Sequence, residues 1–138
     1  MAKISKVWFD ENRIFMTTDE GNTFSRPLEA FPVLKEASDA ERNGFKIGRF
    51  GDDIRWEQLD EDIHISSFYE KTEPALDNEV GQIFRQFPQL NVSEMARFIG
   101  INKSLLAKYI YGIKKPSDER MTQIKAALHT IGQKLMAV

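Results

Sequence analysis

The chain has 138 residues, of which 41% are hydrophobic and 29% are charged, and this globular composition excludes a disordered or collagen-like protein. The length fits one ordinary domain or two small ones and does not favour a large multi-site enzyme. The absence of cysteine excludes disulfides, thiolate zinc sites and cysteine nucleophiles. The net charge of −2 does not by itself favour binding to nucleic acid, because phosphate binding is mainly electrostatic.

The N-terminal residues indicate where the protein resides. Residues 1–6 lead directly into strand-like sequence, without the apolar stretch that follows the basic residues of a secretory signal. No segment approaches the ~20 apolar residues that a membrane helix needs. We therefore expect a cytoplasmic protein that does not interact with membranes.

Acidic and basic residues are distributed unevenly along the chain. Residues 1–70 contain nine Lys and Arg and 15 Asp and Glu, which gives a net charge of −6. Residues 80–138 contain nine Lys and Arg and three Asp and Glu, which gives a net charge of +6. Between these segments lies the polar sequence Lys71-Thr72-Glu73-Pro74, whose proline cannot occupy a helix interior. We predict an N-terminal domain over 1–70, a linker over 71–77 and a C-terminal domain over 78–138, with opposite charges on the two domains.

The N-terminal segment is rich in predicted strands. Short β-branched and aromatic runs alternate with turn residues such as Asp19-Glu20-Gly21-Asn22. The predicted strands are Ile4–Phe9, Arg13–Thr17, Phe45–Phe50, Ile54–Trp56 and Ile63–Ile65. Pro32 opens a predicted short helix that continues to Arg42 and stops at Gly44. Because Trp8 and Trp56 stand in apolar strand patterns, we expect both indoles in the core.

The C-terminal segment is predicted to be entirely helical. Apolar residues at helical spacing from Val80 to Phe87 precede Pro88, which ends the first helix. Three further helices are predicted to begin at the cap residues Asn91, Asn102 and Ser117, with Glu94 completing a capping box on Asn91. The predicted fold class is therefore α+β: a small β-rich N-terminal domain with a short helix, followed by an all-α helix-turn-helix bundle of four to five helices.

Residues 92–112 match the requirements of a helix-turn-helix. Ala96 is small where two helices must approach closely, and Gly100 supplies the positive φ of the turn between them. Around the helix that follows, Leu105, Leu106, Tyr109 and Ile110 form an apolar arc. The opposite arc is polar and basic, as a helix that enters a major groove requires. The predicted DNA-binding residues are Asn102, Lys103, Ser104, Ala107, Lys108, Tyr111, Lys114 and Lys115.

These residues have distinct expected roles on DNA. Ala107 allows close approach of the helix, Lys103 reaches guanine acceptors and Ser104 bonds a base or a phosphate. Lys114 and Lys115, in the loop that follows, hold backbone phosphate.

The segment 78–138 resembles the repressor-type helix-turn-helix family. The resemblance rests on the order of three motifs: Ser93-Glu94-Met95-Ala96, Gly100-Ile101 and Tyr111-Gly112-Ile113-Lys114-Lys115-Pro116-Ser117. The resemblance implies a transcriptional regulator, with a repressor as the expected class, that binds double-stranded DNA as a homodimer. One departure is Val92, which stands where many relatives carry a Gln or Ser that anchors phosphate.

The N-terminal segment resembles the DUF2442 family over residues 1–70. The resemblance rests on Phe31-Pro32-Val33-Leu34 and above all on the run from Ile54 to Ile63. It implies a small α+β domain that is sometimes joined to a helix-turn-helix and sometimes encoded beside a small partner protein. The alternative function is therefore an antitoxin-like interaction module whose acidic domain binds a basic partner encoded nearby, with DNA binding secondary.

No pattern in the chain indicates catalysis. The carboxylates Asp52, Asp53, Asp60, Glu61 and Asp62 are consistent with a divalent cation site, with turn capping or with a surface for a basic partner. Their spacing matches no metal loop, which favours turn capping. His64 and His129 lie in different predicted domains and have no predicted nucleophile or metal-ligand partner. We expect no enzymatic activity, no catalytic or metal site and no cofactor.

Overall fold

A computed structural model describes residues 2–138 and divides the chain into two compact units, Met1–Pro74 and Ala75–Val138. Strands are confined to the first unit, and the second unit consists of helices and turns in the described residues. The predicted α+β class is therefore confirmed. No helix within residues 2–138 combines the length and apolar character needed to cross a bilayer.

The first unit begins with an antiparallel three-stranded meander. Its strands are β1 (Ile4–Asp10), β2 (Arg13–Thr18) and β3 (Thr23–Pro27), with β2 in the centre. Asp10 pairs with Arg13, so Glu11 and Asn12 form a two-residue hairpin loop, and both have positive φ. This is the primed turn geometry that matches the right-handed twist of the flanking strands.

Short helices connect this sheet to a second antiparallel sheet. A 3-10 helix (Leu28–Ala30), α1 (Pro32–Glu36) and α2 (Asp39–Arg42) are followed by β4 (Lys46–Ile47), β5 (Asp53–Trp56) and β6 (Glu61–His64). A 3-10 helix, Ile65–Tyr69, comes after β6. One apolar cluster joins both sheets, and Trp56 is buried within it. The Trp56 indole donates a hydrogen bond to the carbonyl oxygen of Arg42 (2.8 Å), which satisfies its polar atom in the core.

A buried cation holds the end of the first unit. Arg26 is 1% exposed, and its Nη1 donates to the carbonyl oxygens of Glu70 (3.0 Å) and Thr72 (2.8 Å). Arg13 binds the carboxylate of Glu73 through both terminal nitrogens, at 2.6 and 3.2 Å. The first part of the predicted linker is thus hydrogen-bonded to the first unit.

Four predictions for the first unit are wrong. The predicted continuous helix from Pro32 to Arg42 is broken, because Ser38 forms a capping box with Glu41 and starts a new helix there. The predicted strand Phe45–Phe50 is limited to Lys46–Ile47, and Ile65 belongs to a 3-10 helix. Trp8 is half-buried on the sheet face opposite the core, where its ring stacks on Phe15 with centroids 5.4 Å apart. The prediction for Trp56 is confirmed.

The second unit contains four α-helices in its described residues. They are α3 (Glu79–Gln86), α4 (Val92–Ile99), α5 (Lys103–Ile110) and α6 (Asp118–Met136). The predicted caps are confirmed at Asn91, Asn102 and Ser117, each of which accepts a hydrogen bond from the backbone N–H three residues later. The capping box on Asn91 is not formed, because the Glu94 carboxylate is paired with Arg97.

Candidate nucleic-acid interface

A tight turn joins α4 to α5 and sets the direction in which α5 leaves. Gly100 has a φ of 91°, and the N–H groups of Gly100 and Ile101 both donate to the carbonyl oxygen of Ala96, at 2.9 and 3.0 Å. Ala96 is buried, and Asn102 caps α5 only two residues after Gly100. The local sequence alone therefore specifies both the end of α4 and the start of α5.

Contacts within the second unit fix the inner side of α5. Leu106 and Tyr109 are buried in the apolar cluster of this unit. At the C-terminal end, the side-chain amide of Asn78 donates to the carbonyl oxygen of Ile110 (3.1 Å). Gly81 in α3 packs so closely on the same carbonyl that a β-carbon at this position would lie 2.6 Å from the oxygen. The helix is thus held along its length and at its end.

The predicted DNA-binding residues differ in exposure. Asn102, Lys103, Lys114 and Lys115 are exposed, whereas Ser104, Lys108 and Tyr111 are half-buried. Ala107 is 9% exposed and lies inside, so its predicted place on the outer arc is corrected. The physical reason is its small size, which lets neighbouring side chains cover it. The oxygen of the Asn102 side chain already accepts the Leu105 N–H (2.7 Å), so that atom serves as a helix cap.

The basic loop after α5 folds back onto the end of that helix. The N–H groups of Ile113 and Lys114 donate to the carbonyl oxygen of Lys108 at 3.0 and 3.3 Å. Gly112 permits this reversal with a φ of 74°. The hydrogen bonds therefore place Lys114 directly after the exposed arc of α5.

Sequence reasoning missed two residues of the second unit. Asn78 caps α3 by accepting the Gly81 N–H (2.8 Å) and also donates to the Ala75 carbonyl oxygen (2.6 Å). An Asn just before a helical pattern is a cap signal that could have identified the first role. Arg97 on α4 is 73% exposed and paired with Glu94, and only the structure shows its exposure.

Two carboxylates of the acidic cluster of the first unit, Asp60 and Asp62, form ion pairs with Arg55. Arg55 contacts Asp60 (2.8 Å), Asp62 (2.9 Å) and Glu57 (3.5 Å). The hydrogen bond that Arg55 donates to the Asp60 carboxylate raises the pKa of Arg55 above its usual value. No group of three His, Asp or Glu within residues 2–138 is arranged to hold a metal ion. These contacts favour the interpretation of the cluster as surface turns stabilised by a central arginine.

The structure brings His64 next to a serine that the sequence did not suggest. His64 Nδ1 lies 2.9 Å from Ser66 Oγ and accepts the Ser66 N–H (3.2 Å), while His64 Nε2 lies 3.8 Å from an Asp52 carboxylate oxygen. His64 is the N-cap of the 3-10 helix that follows. The hydrogen bond from the Ser66 N–H to His64 Nδ1 is therefore a helix cap.

Comparison with known proteins gives two solved structures and one family. No curated protein matches the chain. A protein of unknown function from Rhodospirillum rubrum is 23% identical, covers 52% of this chain and 94% of its own, and has a TM-score of 0.44. A protein from Nitrosomonas europaea described as a "putative DNA binding protein" is 12% identical, covers 90% of this chain and 84% of its own, and has a TM-score of 0.37.

The family comparison concerns the first unit. The model of the family described as "Protein of unknown function (DUF2442)" matches residues 4–74, which is more than half of the chain. The match includes both sheets and the segment that Arg26 holds. The chain therefore belongs to the DUF2442 family.

Proposed function

We propose that the second unit binds double-stranded DNA as a helix-turn-helix, with α5 in the major groove, and that the protein regulates transcription. The observation that carries the proposal is the polarity of α5. Leu106 and Tyr109 are buried, whereas Lys103 is exposed on the other side of the helix. The loop that follows the helix adds two more exposed lysines, Lys114 and Lys115. A recognition helix needs this division, because one side holds the helix in its domain and the other contacts base edges.

The geometry between α4 and α5 supports the same proposal. Two eight-residue helices are joined by a turn with one left-handed glycine, and buried Ala96 allows them to pack closely. Asn78 and Gly81 fix the end of α5. A rigidly held helix loses little conformational freedom when it enters a groove, which favours binding.

The charge distribution also supports DNA as the partner. Residues 75–138 contain nine Lys and Arg against five Asp and Glu, a net charge of +4, whereas residues 1–74 carry −6. Neutralisation of phosphates by basic residues supplies most non-specific affinity for DNA. The overall charge of −2 therefore conceals a unit whose own charge is suitable for this partner.

Within this proposal the side chains have different roles. Lys103 and Ser104, in the first turn of α5, contact base edges, because recognition helices read bases mainly through their N-terminal residues. Lys114 and Lys115 contact phosphate, and Lys108 assists them from the last turn of the helix. The proposal includes no enzymatic activity.

The test measures binding of the full chain to fragments from upstream of its own gene by fluorescence anisotropy at several salt concentrations. We expect a specific fragment to bind, and Lys103→Ala/Lys108→Ala to weaken that binding and to reduce the slope of log affinity against log salt by about 1, the contribution of the phosphate contact of Lys108. The matched control, Lys46→Ala/Lys71→Ala, removes the same charge from exposed residues of the first unit and should retain wild-type binding.

Two outcomes would contradict the proposal. One is the absence of any fragment that binds more tightly than random DNA, and the other is equal binding by the α5 variant and its control. Where binding is specific, a footprint with two half-sites about one helical turn (10–10.5 base pairs) apart would identify the proposed homodimer, because paired helix-turn-helix modules bind with this spacing.

A further inference from the structure

We propose that a groove in the second unit binds a small zwitterion with an apolar body, an amino acid with an apolar side chain being the simplest example. The groove has a volume of about 440 Å³ and lies between the N-terminal ends of α3 and α6 and the loop after α5. Known small-molecule sites have volumes of about 300–1,000 Å³, so the size suits a small ligand.

The floor and walls of the groove are mainly apolar and well fixed. Ala75, Val80, Pro116 and Met121 line it, and Val80 is only 1% exposed. The Ala75 N–H donates to the Tyr111 carbonyl oxygen (2.8 Å), and Ala75 packs so closely on Gly112 that a β-carbon there would lie 2.3 Å from the Ala75 oxygen. The groove is therefore formed before any ligand binds, which reduces the entropic cost of binding.

The charges around the groove indicate the class of ligand. Its charged lining residues are Glu79, Lys115 and Asp118. Glu79 is already paired with Lys125 (2.8 Å), whereas Lys115 and Asp118 have no ion-pair partner within residues 2–138. One available cation and one available anion complement a ligand that carries a carboxylate and an ammonium group, with its apolar part on the partly exposed Pro116 and Met121.

Lys115 connects this site to the proposed function. The same ammonium group that we assign to a DNA phosphate would bind the carboxylate of the ligand. The two partners then compete, so the ligand weakens DNA binding, and DNA weakens ligand binding by the same factor. This regulatory part rests on the proposed DNA binding, whereas the ligand site does not.

Isothermal titration calorimetry of the full chain, without DNA, tests the site directly. The probes are leucine, methionine and phenylalanine, and the comparators are 3-methylbutylamine, 4-methylpentanoic acid and glycine, each of which lacks one of the three required parts. We expect at least one probe to bind about tenfold more tightly than every comparator, which corresponds to about 1.4 kcal/mol.

Neighbouring residues provide matched controls for the charges. We expect Lys115→Gln and Asp118→Asn each to weaken binding of that probe about tenfold. Lys114→Gln and Glu119→Gln make the same chemical changes one position away, outside the groove lining, and should leave the affinity unchanged. Because Lys115 is exposed and lies outside the helices, its variant tests the site even where Asp118→Asn alters the first turn of α6.

The results separate this inference from the proposed function. The ligand site is overturned, whether or not DNA binds, by either of two results. One is that no probe binds more tightly than the comparators, and the other is that the Lys115 variant and the Lys114 control bind the probe with equal affinity. Ligand binding with the expected variant pattern supports the site even where no DNA fragment binds. Where both bind, a saturating probe should weaken DNA binding, and an unchanged DNA affinity overturns the competition at Lys115.

Discussion

The side-chain amide of Asn78 donates a hydrogen bond to the carbonyl oxygen of Ile110 over 3.1 Å, across 32 positions of sequence. The same side chain caps α3 through the Gly81 N–H and donates to the Ala75 carbonyl oxygen. One residue therefore holds the start of the second unit, the start of α3 and the end of α5 together.

Replacement of Asn78 should destabilise the second unit. We expect Asn78→Ala to lower the free energy of unfolding by about 2 kcal/mol, because it removes a helix cap and leaves the Ile110 carbonyl without this donor. Asn78→Ser retains a capping oxygen without the amide donors and should lose roughly half as much. Urea denaturation followed by circular dichroism measures both values, and equal stability of Asn78→Ala and wild type would contradict the proposed role.

Three glycines in the second unit should respond differently to the same substitution. Gly100→Ala should cost about 1 kcal/mol, since the left-handed φ is unfavourable for alanine although the surrounding space is open. Gly81→Ala should cost about 2 kcal/mol or more, because its β-carbon would meet the Ile110 carbonyl. Gly132→Ala, in open space within α6, should instead stabilise by roughly 0.5–1 kcal/mol. Urea unfolding gives all three changes in the free energy of unfolding. Changes of the same sign in all three variants would refute this explanation.

The ion pair between Arg13 and Glu73 should make the stability of the first unit depend on pH. The hydrogen bond from Arg13 lowers the pKa of Glu73 in the folded state. The pair therefore stabilises the fold above the unfolded pKa of about 4.3, and this contribution is lost as the pH falls through the folded pKa.

We expect Glu73→Gln to destabilise the protein at pH 7 by up to about 1 kcal/mol, since both partners are partly exposed to solvent. The difference from wild type should diminish as the pH falls through the lowered folded pKa, because wild-type Glu73 then takes up a proton. Denaturant titrations at pH 7 and pH 3 provide the comparison. Glu20→Gln in an exposed turn is the control, and a similar loss in this variant at pH 7 would argue against a specific pair.

The acidic first unit should weaken non-specific binding to DNA. Residues 75–138 alone carry +4, whereas the whole chain carries −2. We expect the fragment 75–138 to bind random-sequence DNA roughly tenfold more tightly than the full chain at about 50 mM salt, with the difference decreasing as salt screens the repulsion. Anisotropy measures both affinities once circular dichroism confirms a helical fragment, and equal low-salt affinities would exclude this electrostatic role.

Features that depend on a few neighbouring residues could be predicted from the sequence. Caps at Asn91, Asn102 and Ser117 and left-handed glycines at 100 and 112 all satisfy backbone requirements within three or four positions. The break at Ser38 was missed although Ser38 and Glu41 carry a capping-box spacing, because the proline at position 32 and the glycine at position 44 suggested one helix.

Features that depend on packing could not be predicted in this way. Trp8 and Phe15 are paired on one face of a sheet whose other face is also apolar. The strand sequences therefore do not alternate between apolar and polar residues, and this pattern could not identify the core face. Ala107 lies on the polar side of the helical projection but is covered by its neighbours. A projection gives the direction of a side chain and not the distance to surrounding elements.

The sequence by itself determined the opposite charges of the two halves, the starts of α4, α5 and α6 and the polarity of α5, because charge and helix capping are local properties. Only the tertiary structure decided how α5 is held, which of its residues are exposed and which charges surround the groove at Lys115. Those properties arise where residues distant in sequence meet, as Asn78 and Ile110 do, and their contacts depend on how the helices pack.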